Sequence, residues 1–370
     1  MKMDTLLNIF RGLKNYSYYP GVEEKESAKE FIQGYFCQGD KDCIANFLDE
    51  VSVDDMRYEH MKSTYMLGAW LYDSCSILRV AINHEFRNLD EGEKRQEFLY
   101  RWYLTSLFHD VGYCYENKVF EPKFETHLYS KLKHFSGKVE KCECMIPEDY
   151  KESILKYYQF RKEKSLVDHG VAGAVLLHDI LKPVHSYPHE YNNLKWGPDI
   201  FKKDILPCTL YILAHNIWTA SENTDRASEY KEKGLSSLIQ PIGRSFIHFE
   251  KHPMLFLLCF VDTIEPIKLL QKKDNLTTKQ CLESVTMDVE SNNIHISFDR
   301  IPCSGSCLGW NFNDYYLSAI VKNLNFLVCG SFKIATGNDE IVCHLQTSRK
   351  SNSHNVRDEG IEPSINNRKV

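Results

Sequence analysis

Ionisable side chains interrupt several apolar helical segments of this chain, and they restrict how those segments can pack. Asp262 lies within Leu-Phe-Leu-Leu-Cys-Phe-Val-Asp-Thr-Ile, and His215 lies within Tyr-Ile-Leu-Ala-His-Asn-Ile-Trp. Burying such groups without a partner is costly, so each needs a hydrogen-bond partner or a metal ion. Either residue alone is most simply a core residue whose polar group is satisfied. Several of them in one bundle predict a shared polar site.

The dipeptide His109-Asp110 ends another apolar segment and is followed by Gly112, a common helix terminator. An adjacent imidazole and carboxylate at a helix end can both reach one metal ion. A helical bundle can direct side chains from different helices at one interior point. Four imidazoles and two carboxylates suit one or two divalent ions, namely Mn, Fe, Co, Ni, Zn or Mg. The candidate ligands are His60, His109, Asp110, His169, His215 and Asp262.

A second dipeptide, His178-Asp179, competes for this role. It begins nine residues after His169 on the same predicted helix. Because nine residues turn a helix by about 900°, the two histidines face opposite sides and cannot both point at one centre. We favour His169, since the small residues around it allow close approach of another helix or a substrate. The pair at 178–179 also lacks a following glycine, and we interpret it as structural.

The apolar spacing predicts a mainly helical chain, with helices over about 54–87, 93–109, 150–160, 167–182, 204–220 and 253–271. Pro183 should end the fourth of these, and Pro266 should kink or split the last one. Residues 183–200 contain three prolines and predict a loop. Residues 284–289 and 294–298 alternate polar and apolar side chains, which predicts a β-hairpin. A helix over about 313–328 should follow it.

We therefore expect a mainly α fold, a helical bundle with a small C-terminal α/β appendage. The divisions are an N-terminal helical segment (1–53), a core (54–275) with an insertion (114–160), the appendage (276–345) and a disordered tail (346–370). The insertion is either a lid or a solvated decoration. The appendage either covers the site, mediates formation of a homo-oligomer or simply packs on the bundle.

Composition excludes some functions. The net charge of −6 argues against an extensive nucleic-acid surface. The longest apolar runs, such as 254–261, are too short to span a membrane. The N-terminus shows no secretory pattern, and the thirteen cysteines are scattered, which predicts reduced thiols in the cytoplasm. The single close pair, Cys142 and Cys144, cannot build a tetrahedral zinc site alone.

Four short motifs, in this order, resemble the HD-domain superfamily of metal-dependent phosphohydrolases. The resemblance covers about 54–271, so the core would be an HD core. Tyr113 departs from the pattern, since many members carry Lys there, and the insertion 114–160 is longer than in a minimal member. The motifs are Arg57-x-x-His60, Leu107-Phe-His-Asp-Val-Gly112, Asp168-His169 followed by Gly173-Ala174, and Phe260-Val-Asp262.

The resemblance implies a role for each candidate. Asp110 would bridge two metals, His60, His109 and Asp262 would complete the first site, and His169 and His215 would hold the second. If one metal binds, His169 and His215 would contact phosphate instead. Asp110, His169 and His215 are thus the predicted catalytic residues. A metal-activated hydroxide would cleave a phosphoester or phosphodiester bond of a phosphorylated, nucleotide-type small molecule.

Other residues are assigned to the surroundings of the site. Arg57 and Tyr113 are predicted to bind substrate, although Arg57 can equally form a structural ion pair. The run of Arg161, Lys162 and Lys164 could line an entrance, but a solvated charged face is the simpler interpretation. The remaining histidines considered are predicted to lie on the surface, namely His127, His134, His185 and His189.

Two other functions remain open from sequence. Some HD-superfamily members use the same six ligands in a di-iron oxygenase, so the ligands do not separate the two reactions. A non-catalytic nucleotide-binding HD module is the third alternative. An intact ligand set argues against that module, because a pure sensor has no need of six metal ligands.

Overall fold

Helices form most of the described part of the chain in the computed structural model, which describes residues 3–13, 55–116, 126–133, 146–191, 194–241, 246–274, 276–298, 319–324, 332–336 and 340–345. A small antiparallel sheet lies in the C-terminal region, so the coarse fold prediction is confirmed. The described α-helices of four or more residues are α1 (Leu6–Gly12), α2 (Asp55–Ser74), α3 (Ser76–Asn83), α4 (Glu91–Phe108), α5 (Tyr113–Glu116), α6 (126–133), α7 (Glu148–Glu163), α8 (His169–Val184), α9 (Leu206–His215), α10 (Asp225–Glu232), α11 (Pro253–Ile264), α12 (Ile267–Asp274), α13 (Thr278–Glu283) and α14 (319–324). The strands are β1 (Asp4–Thr5), β2 (His189–Tyr191), β3 (Leu194–Trp196), β4 (Ala220–Ser221), β5 (Ile239–Gln240), β6 (Thr286–Glu290), β7 (Asn293–Ser297), β8 (Phe332–Thr336) and β9 (Glu340–Leu345).

Local sequence signals set the ends of the helices that carry the candidate ligands. A capping box starts α4, in which Asp90 accepts from the backbone N–H of Glu93 at 2.8 Å and the Glu93 carboxylate accepts from the N–H of Asp90 at 3.1 Å. Asp168 caps α8 by accepting from the N–H of Val171 at 3.1 Å. Pro266 separates α11 from α12, as predicted.

Two glycines allow the end of α4 to lie directly against the start of α8. A Cβ on Gly112 would come within 1.9 Å of the His169 carbonyl oxygen and 2.7 Å of the Gly173 backbone nitrogen. A Cβ on Gly173 would come within 2.7 Å of the Phe108 carbonyl oxygen. A larger side chain at either position would collide with backbone, so these glycines bring His109-Asp110 close to α8.

Several predicted helix ends were wrong. Helix α8 continues one residue past Pro183, and the helix predicted over 204–220 ends at His215. Residues 183–200, predicted as a loop, contain the antiparallel pair β2–β3. Proline marks where a regular helix is disturbed, but it does not say which structure follows.

The five-stranded antiparallel sheet has the order β1-β6-β7-β9-β8. The predicted hairpin is present: β6 pairs with β7 in a register that places Met287 opposite Ile296, and Ser291 in the turn has a φ of 55°. At one edge, Asp4–Thr5 pairs with β6. The described residues of the segment predicted to be helical (1–53) thus contain this short strand as well as α1. A two-residue strand is too short to show an alternating pattern.

Some predictions lie outside the described residues. They concern the tail 346–370, His134, the pair Cys142 and Cys144, and most of the helix predicted over 313–328. Of the helix predicted over 313–328, only residues 319–324 are described, and they are helical. Among the helices that are described, none is both long and apolar enough to cross a membrane.

Candidate metal centre

The structure brings together all six side chains that the sequence predicts as metal ligands. They form two groups that share Asp110, and the ligand atoms of each group lie within 4.8 Å of one another. All but Asp262 are buried, and the Asp262 side chain is 17% exposed. The first group is His60, His109, Asp110 and Asp262, and the second is Asp110, His169 and His215.

In the first group, side-chain nitrogens and oxygens converge on one point. The Nε2 atom of His60 lies 3.1 Å from Oδ1 of Asp262 and 3.2 Å from Nε2 of His109. The Asp110 carboxylate completes the group, with Oδ2 at 3.5 Å from His60 Nε2 and Oδ1 at 3.4 Å from His109 Nε2. Imidazole nitrogens with carboxylate oxygens form a donor set that divalent transition metals accept.

The second group shares the same carboxylate. The Nε2 atom of His169 is 3.7 Å from Oδ1 of Asp110. The ring of His215 lies edge-on to those of His109 and His169, with centroid distances of 5.4 and 5.2 Å. Asp110 therefore faces imidazoles from both groups.

Backbone carbonyls fix which nitrogen of two imidazoles faces inwards. Nδ1 of His109 lies 2.6 Å from the Ser106 carbonyl oxygen, and Nδ1 of His215 lies 2.5 Å from that of Ile212. A carbonyl oxygen only accepts, so each Nδ1 donates, and in the neutral ring Nε2 carries the lone pair. Metal-ligating histidines in proteins are commonly oriented in this way.

One of these lone pairs has no hydrogen-bond donor within the described residues. Nε2 of His215 is buried there without a hydrogen-bond partner, and so is Oδ1 of Asp110. Burial, with the nearby His169 and His109, lowers the pKa of His215 to about 3, so this ring is neutral. A neutral, inward-facing nitrogen beside an ionised carboxylate fits a metal ligand. The residues present therefore fit a divalent cation.

Sequence reasoning missed Glu265, which orients His60. Its Oε2 accepts from Nδ1 of His60 at 2.6 Å, and its carboxylate also accepts from the backbone N–H of Ile267 at 3.1 Å. Burial alone would lower the pKa of His60, but Glu265 and Asp262 raise it to about 9. No local signal marks it, because Glu265 follows the last residue of α11 and directly precedes Pro266, where helix phase does not place a side chain.

Two cations contact the ligand carboxylates. Lys268, also missed from sequence, places Nζ 3.3 Å from Oδ2 of Asp110 and 3.2 Å from Oδ1 of Asp262. Nη1 of Arg57 donates to Oδ2 of Asp110 at 3.1 Å. Burial alone would raise the pKa of Asp110, but Lys268, His109 and His60 hold it well below its usual range. The site thus keeps ionised carboxylates in a buried setting.

Arg57 and Tyr113, the predicted substrate-binding residues, stack on the second group. The guanidinium carbon of Arg57 lies 3.4 Å from the centroid of the Tyr113 ring. That ring stacks on His169 with a centroid distance of 3.8 Å and an interplanar angle of 15°. The ion pair that the sequence left open for Arg57 is present, with Asp110 as its partner. Substrate binding by Arg57 and Tyr113 stays a prediction.

A cavity of about 430 Å³ adjoins the second group, with Tyr113, His169 and Asn216 in its wall. Arg161 and Lys164 also line it, so the interpretation of this run as a merely solvated face was wrong for these two residues. The rest of the wall is Tyr157, Phe160, Trp218, Arg226, Glu229, Tyr230, Lys322 and Asn323.

The competing pair, His178-Asp179, lies outside both ligand groups. Nδ1 of His178 lies 2.9 Å from Oδ1 of Asp179, and the same carboxylate contacts Lys131 at 2.7 Å and His127 at 2.6 Å. The helix-face argument is therefore confirmed.

The prediction that His185 lies on the surface was wrong. His185 is buried, and its ring accepts from the Gly197 N–H at 3.3 Å.

Comparisons of this chain with protein-family models, with curated proteins and with solved structures returned no match. The interpretation of the site therefore depends on its own residues and geometry.

Proposed function

We propose that this chain is an HD-domain metal-dependent phosphohydrolase that cleaves a phosphoester or phosphodiester bond of a nucleotide-type substrate. The observation that carries the proposal is a buried carboxylate, Asp110, shared by two groups of inward-facing imidazoles. The order of the short motifs along the chain, which resembles that superfamily, supports the same function. The motifs contain five of the six residues in the two groups, all but His215.

The ligand roles follow the two groups. Asp110 would bridge two metal ions, with His60, His109 and Asp262 at one ion and His169 and His215 at the other. When bound, divalent ions supply an activated water and positive charge for the phosphoryl oxygens. Asp110, His169 and His215 would contact the reacting groups, because they form one ligand group and His169 of that group lies in the cavity wall.

Two cations of the chain are placed to bind the substrate phosphate. The side chains of Arg57 and Lys268 are 19% and 25% exposed, so a phosphate can reach them from solvent. Both already face ionised carboxylates, and a bound metal would take over part of that neutralisation. Stacking on Tyr113 limits the freedom of the Arg57 guanidinium, which lowers the entropy lost when it binds an anion.

Hydrolysis of a panel of nucleotides and cyclic dinucleotides tests the proposal. We expect turnover by the full chain with Mn²⁺ or Co²⁺ under anaerobic conditions. Loss of a residue that hydrogen-bonds a metal ligand typically lowers metal affinity or activity roughly 10–100-fold. Loss of a metal ligand itself should lower activity further. Asp110→Asn should therefore be nearly inactive, and the matched variant Asp179→Asn should match the wild type.

Other outcomes would assign another function. Full activity and full metal content in Asp110→Asn would overturn the proposed site. Bound iron with O₂ consumption and no hydrolysis would indicate a di-iron oxygenase. Tight nucleotide binding without turnover would indicate a non-catalytic nucleotide-binding HD module.

A further inference from the structure

The cavity beside the second ligand group has the size of a small-molecule site. Its volume of about 430 Å³ lies in the range typical of ligand pockets. Because His169 belongs both to its wall and to the metal centre, and Tyr113 of the wall stacks on His169, a molecule in the cavity would extend directly from that centre.

Positive charge is concentrated in this cavity. Arg161 and Lys164 on or just after α7, Arg226 on α10, and Lys322 on α14 line it. Two carboxylates among the described residues face these cations: Glu229, in the wall, pairs with Lys164 at 2.7 Å, and the buried Asp168 lies 3.7 Å from Arg161. Among the described residues that line the cavity, the cations therefore outnumber the carboxylates.

A rigid aromatic wall supports these cations. The Tyr157 hydroxyl donates to the Asn216 carbonyl oxygen at 2.9 Å and accepts from the Trp218 N–H at 3.2 Å. The Tyr230 hydroxyl donates to the Trp218 carbonyl oxygen at 2.8 Å. Hydrogen bonds of this kind hold the cavity open in one shape, so little ordering is needed when a ligand binds.

The cations come from three segments that are far apart in the sequence. Lys322 and Asn323 belong to the C-terminal appendage, whereas Arg161 and Arg226 belong to two separate helices of the bundle. The appendage therefore forms part of the cavity wall, one of the roles that the sequence left open. A wall assembled from separate segments can contact one anionic group from several sides.

We propose that this cavity binds a second phosphate group of the substrate, so that the substrate carries at least two phosphates rather than one. This inference rests on the proposed function, in which the scissile phosphate lies at the metal centre. The second phosphate would be bound by Arg161, Arg226, Lys164 and Lys322. Arginine and lysine are the side chains that recognise phosphate groups in proteins.

Binding of inorganic triphosphate to the metal-free full chain, measured by calorimetry in chelator, tests the inference. We expect wild type to bind triphosphate more tightly than inorganic phosphate. Loss of charge-assisted hydrogen bonds should weaken binding roughly 10-fold or more in Arg226→Gln/Lys322→Gln. Lys231→Gln, which removes an exposed cation of the same helix outside the cavity, should bind like wild type.

The results separate this inference from the proposed function. Triphosphate binding that is absent in wild type, or unchanged in Arg226→Gln/Lys322→Gln, overturns the inference, even if hydrolysis still depends on Asp110. Triphosphate binding that is present in wild type and weakened in Arg226→Gln/Lys322→Gln supports the inference. If Asp110→Asn nevertheless keeps full metal content, the proposed function is wrong while binding of triphosphate in the cavity still stands.

Discussion

The chain contains two His-Asp dipeptides that lie in different surroundings. His109-Asp110 follows the end of α4, is fully buried and faces imidazoles from other helices. His178-Asp179 lies within α8, and its carboxylate, 29% exposed, is satisfied by His178 itself together with Lys131 and His127. The comparison shows that a dipeptide becomes a ligand candidate through what surrounds it, not through its composition.

After loss of the ligand Asp110 itself, the largest expected effect concerns residues that contact a ligand of the metal site on one side and the second pair on the other. Glu265→Ala removes the carboxylate that accepts from Nδ1 of His60, and loss of such a partner typically costs roughly 10–100-fold in metal affinity or activity. The matched change His127→Ala removes a partner of Asp179 and should leave metal affinity unchanged. Titration of the metal-free protein with Mn²⁺ measures both. Equal affinity in Glu265→Ala and wild type would show that Glu265 does not orient His60.

The next largest expected effect concerns Gly112, which follows His109-Asp110 and has no counterpart after His178-Asp179. In Gly112→Ala the new methyl group would meet the His169 carbonyl oxygen, and overpacking of this kind typically destabilises a fold by about 1–3 kcal/mol. Gly92→Ala is the control, since its Cβ would meet only Oδ1 of Asp90 at 3.4 Å. Denaturant unfolding of the two variants should separate them. A Gly112→Ala variant as stable as wild type would contradict the close approach of α4 and α8.

The smallest effect belongs to the second pair. Partial burial alone would raise the pKa of Asp179, but hydrogen bonds from His178, Lys131 and His127 hold it well below its usual range. Asp179→Asn should therefore lose only about 0.2–1 kcal/mol of folding free energy, as partly exposed ion pairs usually contribute. Because the folded-state pKa is lowered, this contribution is present above the ordinary carboxyl value near pH 4 and is lost as the pH falls below it. Unfolding measured at pH 7 and at acidic pH checks the sign, and a loss that grows on acidification would contradict it.

Much of the candidate site could be predicted from sequence because its ligands leave local signals. Asp262 and His215 interrupt apolar helices. Helix periodicity places His169 and His178 on opposite faces, and the small residues around His169 favour it as the ligand. These signals depend only on neighbouring residues and helix phase. The two groups in the structure contain the same six residues.

The rest depends on tertiary contacts that leave no local signal. Glu265 and Lys268 lie on either side of Pro266, where the chain leaves one helix and begins another, so helix phase no longer places them. His185 lies in a proline-rich stretch that predicts exposure, yet the fold buries it. The cavity cations come from segments whose proximity only the folded chain establishes.

Metal content tests the central claim most directly. Wild type, Asp110→Asn and Asp179→Asn would be purified in parallel, loaded with Mn²⁺, desalted and analysed for metal per chain by elemental mass spectrometry. We predict one or two ions in wild type, the same number in Asp179→Asn and a clear loss in Asp110→Asn. Full metal content in Asp110→Asn, or an equal loss in both variants, would contradict the assignment of His109-Asp110 as the centre of the metal site.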